Sequence, residues 1–190
     1  MAGRPDSLVV RDQIDKQEVP RVWLWAGPEA FLKEDLQERA AKTLLEEGLA
    51  ELNLSRFRGT EDSADVIVST AQTLPMMATR RLVIVRAVEG LDRKGRERLL
   101  AYVENAVPET LLILMGEKGP RDPFFAKLGK AGAKVATFWH PSDSQLATWV
   151  RLRFKDLGLE LEPNLCEQIL ESCNTGGQIT LSALAPELEK

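Results

Sequence analysis

Short apolar runs alternate with longer amphipathic stretches over the first three-quarters of the chain, and glycine, proline or a polar pair closes most of them. Val22-Trp23-Leu24-Trp25 predicts a strand that ends at Ala26-Gly27-Pro28. From Glu29 to about Leu49, Leu32, Leu36, Ala40, Leu44 and Leu45 recur at helical spacing and share one face. Leu52-Asn53-Leu54-Ser55-Arg56-Phe57 alternates with period two up to Gly59, the pattern of a half-buried strand. Asp62-Ser63 can cap a helix with Ile67, Ala71 and Leu74 turned inward, and Pro75 closes it. Arg81 to Arg86 (RLVIVR) and Thr110 to Met115 (TLLILM) predict buried strands from their β-branched and apolar content. Helices are expected at Gly95 to Asn105, with Leu99, Leu100 and Val103 inward, and at Pro123 to Leu128. Lys134 to Trp139 predicts a fifth strand. Strands joined by helical crossovers imply a parallel sheet covered on both faces.

After His140-Pro141 the texture becomes wholly helical. Ser142-Asp143-Ser144-Gln145 reads as a capping box opening a helix striped with Leu146, Trp149, Val150 and Phe154. Pro163 starts a second helix bearing Leu165, Ile169, Leu170 and Cys173; Thr175-Gly176-Gly177 breaks it, and a third runs from about Ile179. The expected organisation is an α/β domain over 1–140, with a five-stranded parallel sheet flanked by helices, and a small helical domain over 141–190. The last helix is still amphipathic at Leu188-Glu189-Lys190 with no capping signal, which reads as a piece of a longer protein.

Composition narrows the function classes. The 190 residues carry 25 Lys+Arg against 29 Asp+Glu, a net charge of -4, so the chain as a whole lacks the cationic excess that holds nucleic acid mainly by charge. No apolar run reaches the roughly 18 to 20 residues of a membrane helix, and charges through the first twenty residues leave no signal-peptide core. Cys166 and Cys173, seven apart on one apolar helix face, read as reduced core packing, and the cytoplasm is the expected compartment.

The first strand-loop-helix is where a phosphate-binding loop would lie. Such a loop needs glycines for close backbone approach, a lysine for charge and a Ser or Thr for magnesium. Gly27 and Lys33 keep the spacing, but Leu32 stands where the second glycine belongs, Glu34 replaces the hydroxyl, and Pro28 removes a donor. The acids that would hold magnesium are also missing, since the strand from Leu82 runs into Arg86-Ala87-Val88-Glu89. The single histidine, His140, stands at the domain junction beside a proline, and a structural role suits it better than general-base work. No metal-ligand cluster or nucleophile arrangement stands out, so no metal and no cofactor is expected.

Two surface features remain. Leu74-Pro75-Met76-Met77-Ala78-Thr79 places adjacent methionines in a turn, where both cannot easily enter one core; methionine is over-used on surfaces that insert into partner pockets, and a lid over the sheet edge is the other reading. The basic residues Arg80, Arg81, Arg86, Arg93, Lys94, Arg96 and Arg98 are interleaved with Glu89, Asp92 and Glu97, which reads as a solvated face, with a DNA-facing patch centred on Arg80, Arg81, Arg93 and Lys94 as the alternative. The four tryptophans, Trp23, Trp25, Trp139 and Trp149, are expected in the core.

Over essentially its whole length the chain resembles the delta subunit of the bacterial DNA polymerase III clamp loader. The resemblance rests on Val22 to Phe31, Asn53-Leu54-Ser55-Arg56-Phe57, Gln72-Thr73-Leu74-Pro75, Arg80 to Arg86, Ala183-Leu184-Ala185 and Glu187 to Lys190. It implies an AAA+ fold that does not bind ATP, in a subunit of a DNA-directed DNA polymerase holoenzyme. It also implies that two hydrophobic residues after the Pro-ended helix plug a pocket on the sliding clamp (the beta subunit) and favour the opened ring. Carried over by position, these are Met76 and Met77, supported by Leu74; the family often has Leu or Phe there, so this pair keeps the hydrophobicity and changes the shape. The third, helical domain through which the family joins other loader subunits has no match here, and DNA would be met only within the complex. An active ATPase of the same loader and an unrelated small-molecule enzyme are the alternatives. Against them stand Leu32, Glu34 and Arg86-Ala87, and the lack of convergent polar residues.

Overall fold

The structure is a computed structural model that describes residues 5–172 and 181. It divides into two compact units, Met1–Phe138 and Trp139–Lys190.

The first unit holds helix α1 (Asp6–Asp15), strand β1 (Val22–Ala26), helices α2 (Ala30–Leu44) and α3 (Ala50–Asn53), strand β2 (Leu54–Arg58), helix α4 (Ala64–Gln72), strand β3 (Arg81–Arg86), helix α5 (Arg93–Glu104), strand β4 (Thr110–Gly116), helix α6 (Pro123–Lys130) and strand β5 (Lys134–Thr137). The five strands form one sheet in the order β2-β3-β4-β1-β5, and every neighbouring pair is parallel. β1, β3 and β4 are buried along nearly their whole length, as a sheet covered on both faces requires.

The alternation of side chains along a strand splits the core in two. Val22, Leu24, Val83, Val85, Leu112 and Leu114 belong to one cluster with Ile67, Leu99, Phe125 and Leu128 of α4, α5 and α6. The intervening residues, Trp23, Trp25, Ile84 and Ile113, are also fully buried. Trp25 lies with its ring centroid 5.4 Å from Phe138, and α1 packs on α2 and β5.

Several elements depart from the sequence pattern. Helix α1 has a faint stripe, with Val10 and Ile14 as its buried residues, and its Asp6 carboxylate accepts from the backbone N–H and hydroxyl of Thr137 on β5. The long helix expected to Leu49 stops at Leu44, and Leu52 and Asn53, expected in a strand, end the short helix α3. Helix α4 stops at Gln72, so Leu74 lies beyond its inner face and is exposed. Trp139, expected in the core, is past the end of β5 and exposed, whereas Trp23, Trp25 and Trp149 are buried.

In the second unit, α7 (Asp143–Asp156) opens with the capping box, in which the Gln145 side chain accepts from the Ser142 N–H at 2.9 Å. In α8 (Pro163–Ser172), Cys166 is buried, in line with core packing, whereas Leu165, expected on the same apolar face, is exposed. Cys173, Thr175-Gly176-Gly177 and most of the third helix expected from Ile179 lie outside the described residues. No helix among the described residues is long and apolar enough to cross a membrane.

Candidate functional site

Parallel pairing of β2 with β3 in the register Leu54↔Leu82 brings the starts of the two strands side by side. The segment that leads into β3 therefore meets the segment that leads into β2. That leader, Thr73 to Arg80, is a turn with its apolar side chains outward: Leu74 is 68%, Met76 52% and Met77 84% exposed. Met77 sits in the left-handed region at φ 54°, a conformation a side chain rarely adopts.

The backbone of this tip is held by side chains from its neighbours. Asn53, fully buried, accepts from the Met76 N–H at 2.7 Å and donates to the Met76 carbonyl at 2.9 Å. Glu46 accepts from the Thr79 N–H at 3.1 Å, and the Arg81 guanidinium donates to the Leu74 carbonyl at 3.4 Å. Apolar side chains thus face solvent on a pinned main chain. Because its side chain is exposed and its φ suits glycine, Met77→Gly is expected to keep or raise the stability of the fold, by up to about 1 kcal/mol. Thermal unfolding reads this, and a clear fall in the midpoint would show that the Met77 side chain is packed after all.

At the opposite, carboxyl end of the strands, the loop after β1 is sewn to its neighbours. The Gly27 N–H donates to the Gly116 carbonyl at the end of β4, and the Glu29 N–H donates to the Phe138 carbonyl. A Cβ on Gly27 would lie 2.3 Å from the Phe138 oxygen, so this glycine serves a close approach of protein backbone. The Lys33 ammonium turns inward and donates to the carbonyls of Gly27 at 2.7 Å and Gly116 at 3.0 Å. Glu34 pairs with Arg86 at 3.2 Å. The cavity beside them, with Ala30, Met115 and Glu117 in its lining, measures about 170 Å³, below the roughly 300 to 1,000 Å³ of a typical small-molecule site.

Burial lowers the Lys33 pKa from its ordinary value, against the opposing pull of Glu89, Glu117, Glu29 and Glu34. The unfolded chain then binds the proton more tightly than the folded one, so Lys33 makes stability rise with pH between its folded pKa and its unfolded value of 10.5. A neutral amine keeps two N–H donors for its two carbonyls. Lys33→Met is expected to cost about 1 to 3 kcal/mol, because both carbonyls lose their partner. The gap between wild type and variant in denaturant titrations should widen toward pH 10; a gap that narrows would overturn this assignment.

The basic residues do not gather into one patch. Arg81 is only 6% exposed and lies beneath the tip, and Arg80 next to it is half-buried. Arg93 and Lys94 stand in the first turn of α5, beyond the other end of β3, roughly 20 Å along a six-residue strand. Arg86, Arg93 and Arg98 pair with Glu34, Glu97 and Asp65. Arg96 donates to the carbonyls of Leu91 and Glu89 and stacks over Phe124. The sequence cluster is thus divided between the two ends of β3, and Arg81 is withdrawn from the surface. Among the described residues no group of His, Cys, Asp or Glu is placed to hold a metal.

The family model for the DNA polymerase III delta subunit matches residues 23–137, which span every strand of the sheet and the tip. The chain belongs to that family. The delta subunit of Bacillus subtilis is 31% identical over 110 residues, covering 54% of this chain and 32% of that protein. The delta subunit of Escherichia coli is 27% identical over 173 residues, 88% of this chain and 49% of that one. The chain therefore spans about half or less of the curated relatives it matches. Among solved structures, the Bacillus subtilis DNA clamp loader delta protein aligns with a TM-score of 0.76 at 23% identity, over 96% of this chain and 56% of its own. A RuvB from Thermotoga maritima aligns at 0.58 and 16% identity, over 96% of this chain and 58% of that one. The fold is AAA+-like.

Within this delta-family frame, the sequence pointed to the tip through its paired methionines and to the loop through Gly27 and Lys33. It did not single out Asn53, Glu46 or the buried role of Arg81. A polar residue between Leu52 and Leu54 was the available signal, but its partner lies 23 residues away.

Proposed function

We propose that this chain is the part of a clamp-loader delta subunit that binds the ring-shaped sliding clamp, with Leu74, Met76 and Met77 inserting into an apolar pocket on the ring. Binding acts on the ring to the extent that the tip prefers its opened form. The chain does this without nucleotide chemistry of its own, in the cytoplasm, alongside other loader subunits joined through parts of the protein beyond this chain. DNA is met within the assembled complex, where Arg80 and Lys94 are the candidates to approach it.

The observation that carries this reading is the exposed apolar triad on a pinned backbone. Exposed hydrophobic side chains on a main chain held by neighbouring polar side chains suit insertion into a pocket. The engagement of Lys33 with Gly27 and Gly116 supports the nucleotide-free part of the proposal, because the cation a phosphate would need already has partners.

Binding of the chain to the purified sliding clamp of the same organism, with and without ATP, tests both parts. Micromolar or tighter affinity, unchanged by ATP and lost in Met76→Ala/Met77→Ala, is the expected result. A well-folded chain that does not bind, or that binds regardless of the tip, would overturn the proposal.

A further inference from the structure

We propose that Asn53 is the positioning residue of the tip: its buried amide presets the turn so that Met76 and Met77 are displayed in their binding conformation before the clamp arrives. This inference rests on the clamp-binding reading above and concerns how that site reaches its affinity.

The argument starts from where the tip finds its hydrogen bonds. Pro75 has no N–H, and the described partners of the Leu74–Arg80 backbone are side chains: Arg81 at the Leu74 carbonyl, Glu46 at the Thr79 N–H, and Asn53 at Met76. Asn53 alone among these takes both polar groups of one residue. Its Oδ1 accepts from the Met76 N–H, and its Nδ2 donates to the Met76 carbonyl at 2.9 Å and to the Leu49 carbonyl at 3.1 Å. Holding the N–H and the carbonyl of Met76 together fixes the peptide planes on both sides of that residue. The direction of its side chain follows, and so does the entry into Met77 at φ 54°.

Asn53 is also well placed to stay rigid. It is fully buried at the end of α3, where the chain turns directly into β2, and β2 is locked to β3 in parallel register. The tether therefore connects the tip to the sheet and not to another loop. Leucine or aspartate at this position could not reproduce it. Leucine has no polar groups, and an ionised carboxylate would accept from the Met76 N–H but leave both carbonyls without a donor.

An untethered tip would sample many turn conformations, and binding would have to order it at that moment. The affinity would fall by the fraction of molecules already in the competent form. Asn53→Asp and Asn53→Ala are thus expected to weaken clamp binding about 10- to 100-fold, chiefly through the tip.

Binding titrations of the chain against the purified clamp, well below the unfolding temperature of each variant, test this in a double-mutant cycle with Met77→Ala. A positioning role requires coupling: the Asn53 substitution should cost clearly less once Met77 is alanine. Unchanged affinity in folded Asn53 variants, or a loss undiminished by Met77→Ala, would overturn the proposal while leaving the clamp-binding reading intact. If Met76→Ala/Met77→Ala itself leaves binding untouched, both fall together. Hydrogen exchange on the unmodified chain keeps the test open should the variants fail to fold. The Met76 amide should exchange far more slowly than in an unstructured peptide, and exchange at the unstructured rate would overturn the tether directly.

Discussion

Replacing Met76 and Met77 together with alanine is expected to weaken clamp binding by about 30- to 1,000-fold while leaving the fold's stability almost unchanged. The two side chains are 52% and 84% exposed in the free chain, so truncating them removes little that the fold itself buries. In a partner pocket the same side chains would be desolvated, and full burial of a methionine is worth about 1.5 to 3 kcal/mol. Part of that is offset by ordering two flexible side chains, which leaves roughly 2 to 4 kcal/mol for the pair. The opposite responses of affinity and stability are diagnostic. A core lid would give a falling thermal midpoint with intact affinity. Calorimetric titration beside thermal unfolding separates the two, and wild-type affinity in the double variant would exclude the tip as the contact.

Gly27→Ala is expected to have the largest effect on stability, about 3 kcal/mol or more, enough to unfold much of a marginal domain. Two costs combine. The residue sits at φ 127°, a conformation that L side chains rarely adopt, and the new Cβ would meet the Phe138 oxygen at 2.3 Å. That oxygen cannot simply withdraw, because it accepts from the Glu29 N–H and belongs to the residue whose own N–H donates to Ala26. Equilibrium denaturation of the purified variant measures the loss. A stability within 1 kcal/mol of wild type would mean that the loop opens easily, against the sewn geometry described here.

The parts of this fold legible from sequence are those governed by local pattern. β3 and β4 were readable because a strand buried on both faces must be apolar throughout, and RLVIVR and TLLILM leave little else to infer. Helix α5 was readable from its stripe, although its cap, Asp92, accepting from the Gly95 N–H, places its start two residues earlier than the pattern did. What stayed hidden depends on pairing distant segments. Helix α1 gains its place from an aspartate bonded to Thr137, 131 residues away, and no period announces that. Arg81 carries a charge that argues for solvent, yet the start of an interior strand lies under the tip and buries it. Leu74 fits the α4 stripe by spacing, but the helix has already ended at Gln72. The tip could be suspected from two adjacent methionines; the amide that holds it could not.

Lys33 also bears on the evolutionary reversibility of the loop. Leu32→Gly and Glu34→Thr would restore the letters of a phosphate-binding motif, yet the lysine would still be bonded to Gly27 and Gly116 at the heart of the fold. To meet a phosphate it would have to abandon both carbonyls, and the loop would lose its staple before gaining a ligand. A lineage moving one substitution at a time would cross a valley of lower stability without any binding to compensate. The structural use of this lysine works as a ratchet, holding the side chain to the loop it staples and away from any ligand beside it.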